Sequence, residues 1–598
     1  MTTSLNNRNY CRPVELCKHA MSRLFSSKTD SPSDIEPNLP LLDDPPVKKW
    51  FRRPVSETTK SIDQIWAGMS IEDSHSTALL KAIVEARFNA FKRADIRPVN
   101  PIDEQTRYEA YSRLRQRMFE LVRAENCDSR RGWVRSFERW QYVSKNYEWR
   151  VDDSKSPEYF TSLDPLLPSI AENNPAQQSM FEDLSKLDGM SVDGAKRISV
   201  KILTDSSNLS MALYKRMLLR QQKETDRAAA TATTATLTAT AAATIVTVEG
   251  NTQKDDIQLN HKQLNLVSIV ANQYNGDLKV SLEGDISTDS YSKRHRIFSI
   301  SANHAEKLRL LWSNQRRERA TKDLKMKKKS RSKVVIAVAD DKNDENTLGS
   351  NLDSRDNSRD NSNDEFDNDM FCLIARYSVL EGFGWQAAVA QPVIAALHKN
   401  FGVTVECFSS PLNSYLPSYC SLFPDTDAIF GSLGSFFNFH PLEGSFEANP
   451  PFVATLMVQM VEKMEQLLER ATGPMSFAVV VPAWIEDEHW PRLLNSPDNK
   501  GYFIMPASDH SYCDGRQHDN SIDERYRPAP FDTAIFFLQN KKGAKKWPLT
   551  PDTESSLREA FSSARPSQET ILNQQNKGIY VPKFKVKREK DSSEEDIE

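Results

Sequence analysis

Asn449-Pro450-Pro451-Phe452 sets two residues of fixed φ between an amide and an aromatic ring. The residue before a proline is driven to extended geometry, so the Asn449 side chain and the Pro450 carbonyl can be aimed at one point. Both are hydrogen-bond acceptors. The Phe452 ring offers a face for a flat base. The exocyclic amine of adenine carries two N–H donors and a conjugated, weakly nucleophilic lone pair. Two acceptors hold both hydrogens and leave the lone pair free to move out of the ring plane. Acceptors that gain as positive charge develops stabilise the transition state more than the ground state. The chemistry these residues suit is methyl transfer from S-adenosylmethionine to an adenine amine, by positioning and with no metal.

Such a corner needs a strand before it and a helix after it. "GSFEA" reads as the strand, and a helix is predicted from near Val453. Leu456, Met457, Met460, Val461, Met464, Leu467 and Leu468 form its apolar face, the methionines acting as core. From about residue 370, short apolar runs ("FCLIARYSVL", "VTVECF", "SFAVVVP", "GYFIMP", "TAIFFLQ") alternate with helical stretches. That alternation predicts an α/β domain with a mainly parallel sheet. Ligands of such sheets lie beyond the carboxyl ends of the strands. A second strand end, "VECFSSPLNSY", carries Glu406, Ser410, Pro411 and Asn413, which suit the ribose or amino-acid part of a cofactor and equally suit an ordinary strand-to-loop turn. No G-x-G-x-x-G fingerprint is present. Trp484 and Glu486 follow "SFAVVVP", and Asp509 and His510 follow "GYFIMP"; these are candidate substrate contacts.

The whole chain of 598 residues has a net charge of −4, 38% apolar residues and a mean hydropathy of −0.59. This predicts several segments, some without a core of their own. Residues 1–60 read as a disordered tail, basic at Arg8, Arg12, Lys18 and Arg23. Residues 61–225 read as a helical domain. Leu80, Val84, Phe88 and Phe91 share one predicted face there, and Tyr108, Tyr111, Leu114, Met118 and Leu121 another. Arg87 and Arg117 lie on the opposite, basic faces as candidate phosphate contacts. Residues 226–255 are an Ala/Thr low-complexity insertion, and 256–319 continue the helical domain. Residues 320–368 are a charged insertion predicted to be disordered, with a basic block at 325–333. The α/β domain is expected over 369–565 and a polar tail over 566–598. Seven scattered cysteines without C-x-x-C spacing fit a reducing compartment, and no apolar run is long enough to span a bilayer.

Taken in order, "FGVTVECFSSPLNSYLPSYCSLFPDTDAIFGSLGSF", "PLEGSFEANPPF", "SFAVVVPAW", "PASDHSY" and "TAIFFLQN" resemble the phosphorylated CTD interacting factor family. The likeness is close over about 370–560, and "KRHRIFSISANHAEKLRLLW" resembles the family's helical domain more loosely. The resemblance implies a Rossmann-like methyltransferase domain joined to an all-α helical domain. It implies methylation of N6 of 2′-O-methyladenosine beside the 7-methylguanosine cap of mRNA, with S-adenosylmethionine as donor. Asn449, Pro450, Pro451 and Phe452 match the family's catalytic tetrapeptide. The implied location is the nucleus, and the implied partners are capped mRNA and the phosphorylated C-terminal domain of RNA polymerase II. Three departures stand out. Ala454 replaces the family's glutamate, Ile485 replaces an arginine, and Trp50 and Trp66 do not make a WW pattern. A cap-binding protein without turnover, or an adenine methyltransferase acting on another nucleic acid, would use the same residues.

Overall fold

The computed structural model describes residues 76–96, 99–125, 127, 132–134, 136–141, 143, 164–167, 175–245, 268–274, 277–283, 297–335, 355–380, 387–518 and 525–576. The tail expected at 1–60, Trp50, Trp66 and the polar segment after Asn576 lie outside these residues.

Among the described residues, helices before the α/β part include α1 (Thr77–Ile96), α2 (Pro101–Ala124), α3 (Val192–Ile245), α4 (Ala302–Val335) and α5 (Arg355–Ser378). Helix α2 starts where Asn100 accepts from Ile102 N and proline takes the first helical position. It buries Tyr108, Tyr111, Leu114 and Met118, as the spacing predicts. The face of α1 differs from the expected one. Leu79, Ile83, Ala86, Ala90 and Phe91 are buried, while Val84 and Phe88 are exposed. The basic Arg87 lies on the buried side, because that side meets Glu318 and the loop at Pro417.

The described parts of two low-complexity stretches are helical. Helix α3 runs into the Ala/Thr segment as far as Ile245, in keeping with the high helix propensity of alanine. Helix α4 carries the basic block through Val335, and α5 begins within the "SRDN" repeats. The region between them, residues 336–354, lies outside the described residues. The helical part is not all-α. Strands β1 (Ser268–Tyr274), β2 (Asp277–Glu283) and β3 (Ile297–Ser301) form an antiparallel sheet. The signal was Asn275-Gly276 between two β-branched runs, the strongest short hairpin cue.

The remaining strands are β4 (Ala388–Val389), β5 (Val405–Ser409), β6 (Tyr419–Ser421), β7 (Gly444–Ala448), β8 (Met475–Pro482), β9 (Asn499–Met505), β10 (Ser511–Cys513), β11 (Tyr526–Pro528) and β12 (Thr533–Gln539). Six of them form one mixed sheet in the order β6-β5-β7-β8-β12-β9. The pairs β5–β6, β5–β7 and β7–β8 are parallel, and β12 runs antiparallel to both β8 and β9. A smaller sheet joins β11, β10 and β4. Helices α6 (Gln391–Phe401) and α7 (Ala454–Arg470) flank β5 and β7 along the chain. Helix α7 buries all seven of its expected apolar residues. One face of the sheet packs Phe446, Ala448, Phe477, Val479 and Phe536 against α7. The other packs Ala478, Val480, Ile535 and Phe537 against α6 and α8 (Pro551–Ser563). Burial on both faces is why these strands read as continuous apolar runs. From β5 the chain passes to β6 on one side and then to β7 on the other, so the order reverses between β5 and β7.

Candidate active site

The carboxyl ends of β5 and β7 meet at this reversal, the place where open α/β sheets bind ligands. A cleft open to solvent lies there. Cys407, Phe408, Ser409, Ser410 and Asn413 line it from β5 and its loop, and Asn449 and Pro451 from the end of β7. Phe436, Phe437 and Tyr377 are among the other residues that line it.

The Asn449 side chain is buried and fixed in orientation. Its amide nitrogen donates to the Ala387 carbonyl at 2.9 Å, while its Oδ1 has no hydrogen-bond partner. A buried acceptor left open costs on the order of 1–3 kcal/mol, which a ligand N–H would recover. Phe452 packs edge-on against Phe531, Tyr512 and Trp484 at centroid distances of 5.5, 6.0 and 6.3 Å. Phe531 also meets Trp484 at 5.3 Å. The structure thus brings Phe452 and Trp484 into one half-buried aromatic cluster beside the Asn449 corner.

Ser410 and Asn413 shape the loop as well as line the cleft. Asn413 Oδ1 accepts from Ser410 N at 2.7 Å, Ser410 Oγ at 2.9 Å and Ser409 Oγ at 3.0 Å. Pro411 is buried in the same turn. Glu406 does not line the cleft. Its Oε1 accepts from Tyr415 N at 2.7 Å and Leu416 N at 2.6 Å, so it secures the far end of this loop. Burial pushes its carboxyl up, against those two backbone N–H groups and the nearby Lys307.

Two other candidates, His510 and Arg87, are engaged elsewhere. His510 is fully buried, with Nδ1 at 2.7 Å from the Pro506 carbonyl and Nε2 at 2.8 Å from Thr533 Oγ1, so neither ring nitrogen faces the cleft. Arg87 bridges Glu318 at 3.1 Å and the Pro417 carbonyl at 3.2 Å, which makes it an internal strut rather than a phosphate contact. Arg117 lies on α2 beside Glu120 at 3.7 Å. Asp509 and Glu486 are exposed and do not line the cleft. Ile485, the departure from the family's arginine, is 61% exposed.

The sequence reading missed the aromatic wall. Phe408 contacts Phe436 at 5.2 Å and Phe437 at 6.3 Å, a surface suited to a purine. It also missed Tyr377, whose hydroxyl donates to Asp427 at 2.7 Å. Its only cue was an aromatic near the end of an apolar run, which reads as core.

The buried His510 makes a testable contribution to stability. Burial lowers its pKa from the ordinary value of 6.5, so the fold favours the neutral ring. A depressed folded pKa stabilises above the unfolded value, and that contribution fades as pH falls below about 6.5. Wild-type protein is expected to lose more stability in urea between about pH 7.5 and pH 5.5 than His510→Gln. Equal losses would show that the ring does not titrate with folding.

A mixed α/β protein with a ligand cleft at its strand-order reversal and an open amide acceptor at the rim is consistent with a methyltransferase. Residues 348–515 match the family model described as "Phosphorylated CTD interacting factor 1 WW domain". Over that segment the chain is similar to the phosphorylated CTD interacting factor family. Although the description names a WW domain, the matched residues carry the whole of α5 and the strands from β4 to β10. The chain is also 44% identical over 200 residues to the mRNA (2′-O-methyladenosine-N(6)-)-methyltransferase of Homo sapiens, covering 32% of this chain and 28% of that protein. The Mus musculus protein of the same name is 42% identical over 203 residues, covering 33% and 29%. The chain therefore matches less than a third of the length of either relative.

Proposed function

We propose that the chain is an S-adenosylmethionine-dependent methyltransferase acting on N6 of 2′-O-methyladenosine beside the 7-methylguanosine cap of mRNA. The observation that carries this reading is the open Oδ1 of Asn449, whose Nδ2 donates to the Ala387 carbonyl, at the rim of a cleft beyond the ends of β5 and β7. The names of the two relatives support the substrate. The sheet order, with its reversal between β5 and β7, supports a Rossmann-like methyltransferase domain, and the helices before it support a substrate-holding layer.

The residues present fit the donor. The Phe408–Phe436–Phe437 wall suits its adenine, and Ser410 and Asn413 offer polar contacts. When bound, S-adenosylmethionine supplies an electrophilic methyl group. Asn449 accepts one N–H of the target amine and the Pro450 carbonyl the other. As positive charge develops on that nitrogen, both contacts strengthen. Phe452, braced by Phe531 and Tyr512, holds the base plane. A nucleotide beside a cap is single-stranded, so no duplex must open. Activity on nascent mRNA would place the protein in the nucleus, near the polymerase.

The test is transfer of a labelled methyl group to capped RNAs that begin with 2′-O-methyladenosine, adenosine or guanosine, and to uncapped RNA and DNA. The expected result is transfer to the capped 2′-O-methyladenosine RNA above all others. Transfer independent of the cap would favour another nucleic-acid substrate. Capped-RNA binding without transfer would favour a protein that has lost turnover.

A further inference from the structure

The loop that forms one lip of the cleft has a second, cationic side. Lys307 on α4 reaches across and donates to the Ser414 carbonyl at 2.5 Å. Next to it, Ser301 Oγ lies 2.8 Å from His304 Nδ1, and Ser301 N donates to the His518 carbonyl at 2.8 Å. Tyr415 OH donates to Gln517 Oε1 at 3.3 Å. Thus the first turn of α4, residues 414–415 of the lip and residues 517–518 after β10 converge. Arg525, just before β11, joins the group: its carbonyl accepts from Asp514 N at 2.7 Å, the Asp514 carbonyl accepts from Gln517 N at 3.0 Å, and the Arg525 charge acts on Lys307, His304 and Tyr415.

Among the described residues, Lys307 and Arg525 are the cations that meet here, and Glu406 is the acid that acts on Lys307; burial favours the neutral ring of His304. Glu406 is already engaged by two backbone N–H groups. Arg525 has no carboxylate at ion-pair distance among the described residues, and its Nε is buried without a partner. Gln517 is 2% exposed, and its Nε2 likewise has no partner. Helix α4 directs its N-terminus to the same place, where a helix dipole favours an anion. Lys307 and Arg525 keep part of their surface exposed, so a ligand can reach them. Buried donors without a partner, beside two cations, are costly without an acceptor to receive them.

We infer that Lys307, Arg525 and the Gln517 amide form a subsite for a phosphate group, carried by the single-stranded nucleic acid whose base enters the cleft. This rests on the nucleic-acid reading above. A phosphate here would bear on Ser414 and Tyr415, and so tie strand binding to the loop that lines the cofactor cleft.

The test is fluorescence anisotropy of a short single-stranded RNA on the full chain across a salt series, with and without inorganic pyrophosphate. Calorimetry of S-adenosylmethionine runs alongside. Arg525→Gln is expected to weaken RNA binding about tenfold and to reduce the salt slope by about one. Pyrophosphate should compete with RNA on wild-type protein and much less on the variant. Arg525→Lys, which keeps the charge, should retain most of the binding, and donor affinity should not change. Wild-type RNA affinity and salt slope in Arg525→Gln would overturn the subsite. So would a loss of donor affinity with RNA binding intact, since the anion would then be the donor's carboxylate. Competition by a phosphoserine peptide but not by RNA would overturn it in favour of a protein partner. Because the readout is binding, a failed methylation assay with these results intact sinks only the activity. Intact methylation without them sinks only the subsite.

Discussion

Asn449→Ala is expected to lower methyl transfer by about 10²–10³-fold or more while the fold and donor binding persist. The magnitude follows from where the atom sits. Asn449 Oδ1 is an acceptor without a protein partner, and Nδ2 is fixed by Ala387 at 2.9 Å, so the side chain is pre-aimed and needs no reorganisation during reaction. Alanine removes the acceptor and leaves the Ala387 carbonyl without this donor, at a stability cost of about 1 kcal/mol. That cost is small, so lost turnover can be separated from lost protein. Asn449→Asp is the informative companion. It keeps an acceptor but places a carboxylate oxygen against the Ala387 carbonyl, so the side chain should turn and recover only part of the rate. Single-turnover transfer rates, donor affinity by calorimetry and thermal melting together decide the case. Near-normal turnover in Asn449→Ala would remove this residue from the mechanism.

How far such sites can be read from sequence depends on how local their causes are. The α7 face was legible because seven apolar residues at helical spacing all turn toward one sheet. The Asn449 corner was legible because two prolines fix geometry without help from the rest of the fold. Arg87 was not, since the partner that decides its role, Glu318, lies 231 residues away. The loop contacts of Glu406 were not legible for a related reason. Its place at a strand end is visible, but the backbone N–H groups it accepts from belong to a loop that turns back on it. His510 looked like a site residue from its position after a strand, and only Thr533, 23 residues on, shows that it is core. The Phe408–Phe436–Phe437 wall needs the strand order itself, because that order brings β5 and the turn before β7 together. In the helical part, residues 226–245 looked like a linker by composition, yet alanine is the best helix former and α3 continues through them.

Arg376→Met is expected to destabilise the chain by about 3–5 kcal/mol, the largest stability effect of any single change considered. The Arg376 side chain is 0% exposed. It forks onto two carboxylates, with Nε and Nη2 donating to Glu104 at 2.9 and 2.6 Å, and Nη1 and Nη2 donating to Asp425 at 3.0 and 2.9 Å. Its guanidinium also lies 5.0 Å from the Phe423 ring centre. Methionine fills much of the volume but leaves two buried carboxylates facing each other, with Arg107 near Glu104 as partial relief. The loss comes from those stranded charges rather than from the pair's own net worth. Adding Glu104→Gln and Asp425→Asn to Arg376→Met should therefore restore much of the stability. The network also bears on the cleft. Arg376 ties α5 and α2 to the turn that follows β6, and that turn carries Asp427, which holds the hydroxyl of Tyr377. Arg376→Lys, which keeps one charge but cannot fork, should weaken donor binding at temperatures where the protein is still folded. Urea unfolding of the single and triple variants, with donor calorimetry on Arg376→Lys, tests both parts. Wild-type stability in Arg376→Met would mean that the helical layer and the sheet are held together by apolar contacts alone.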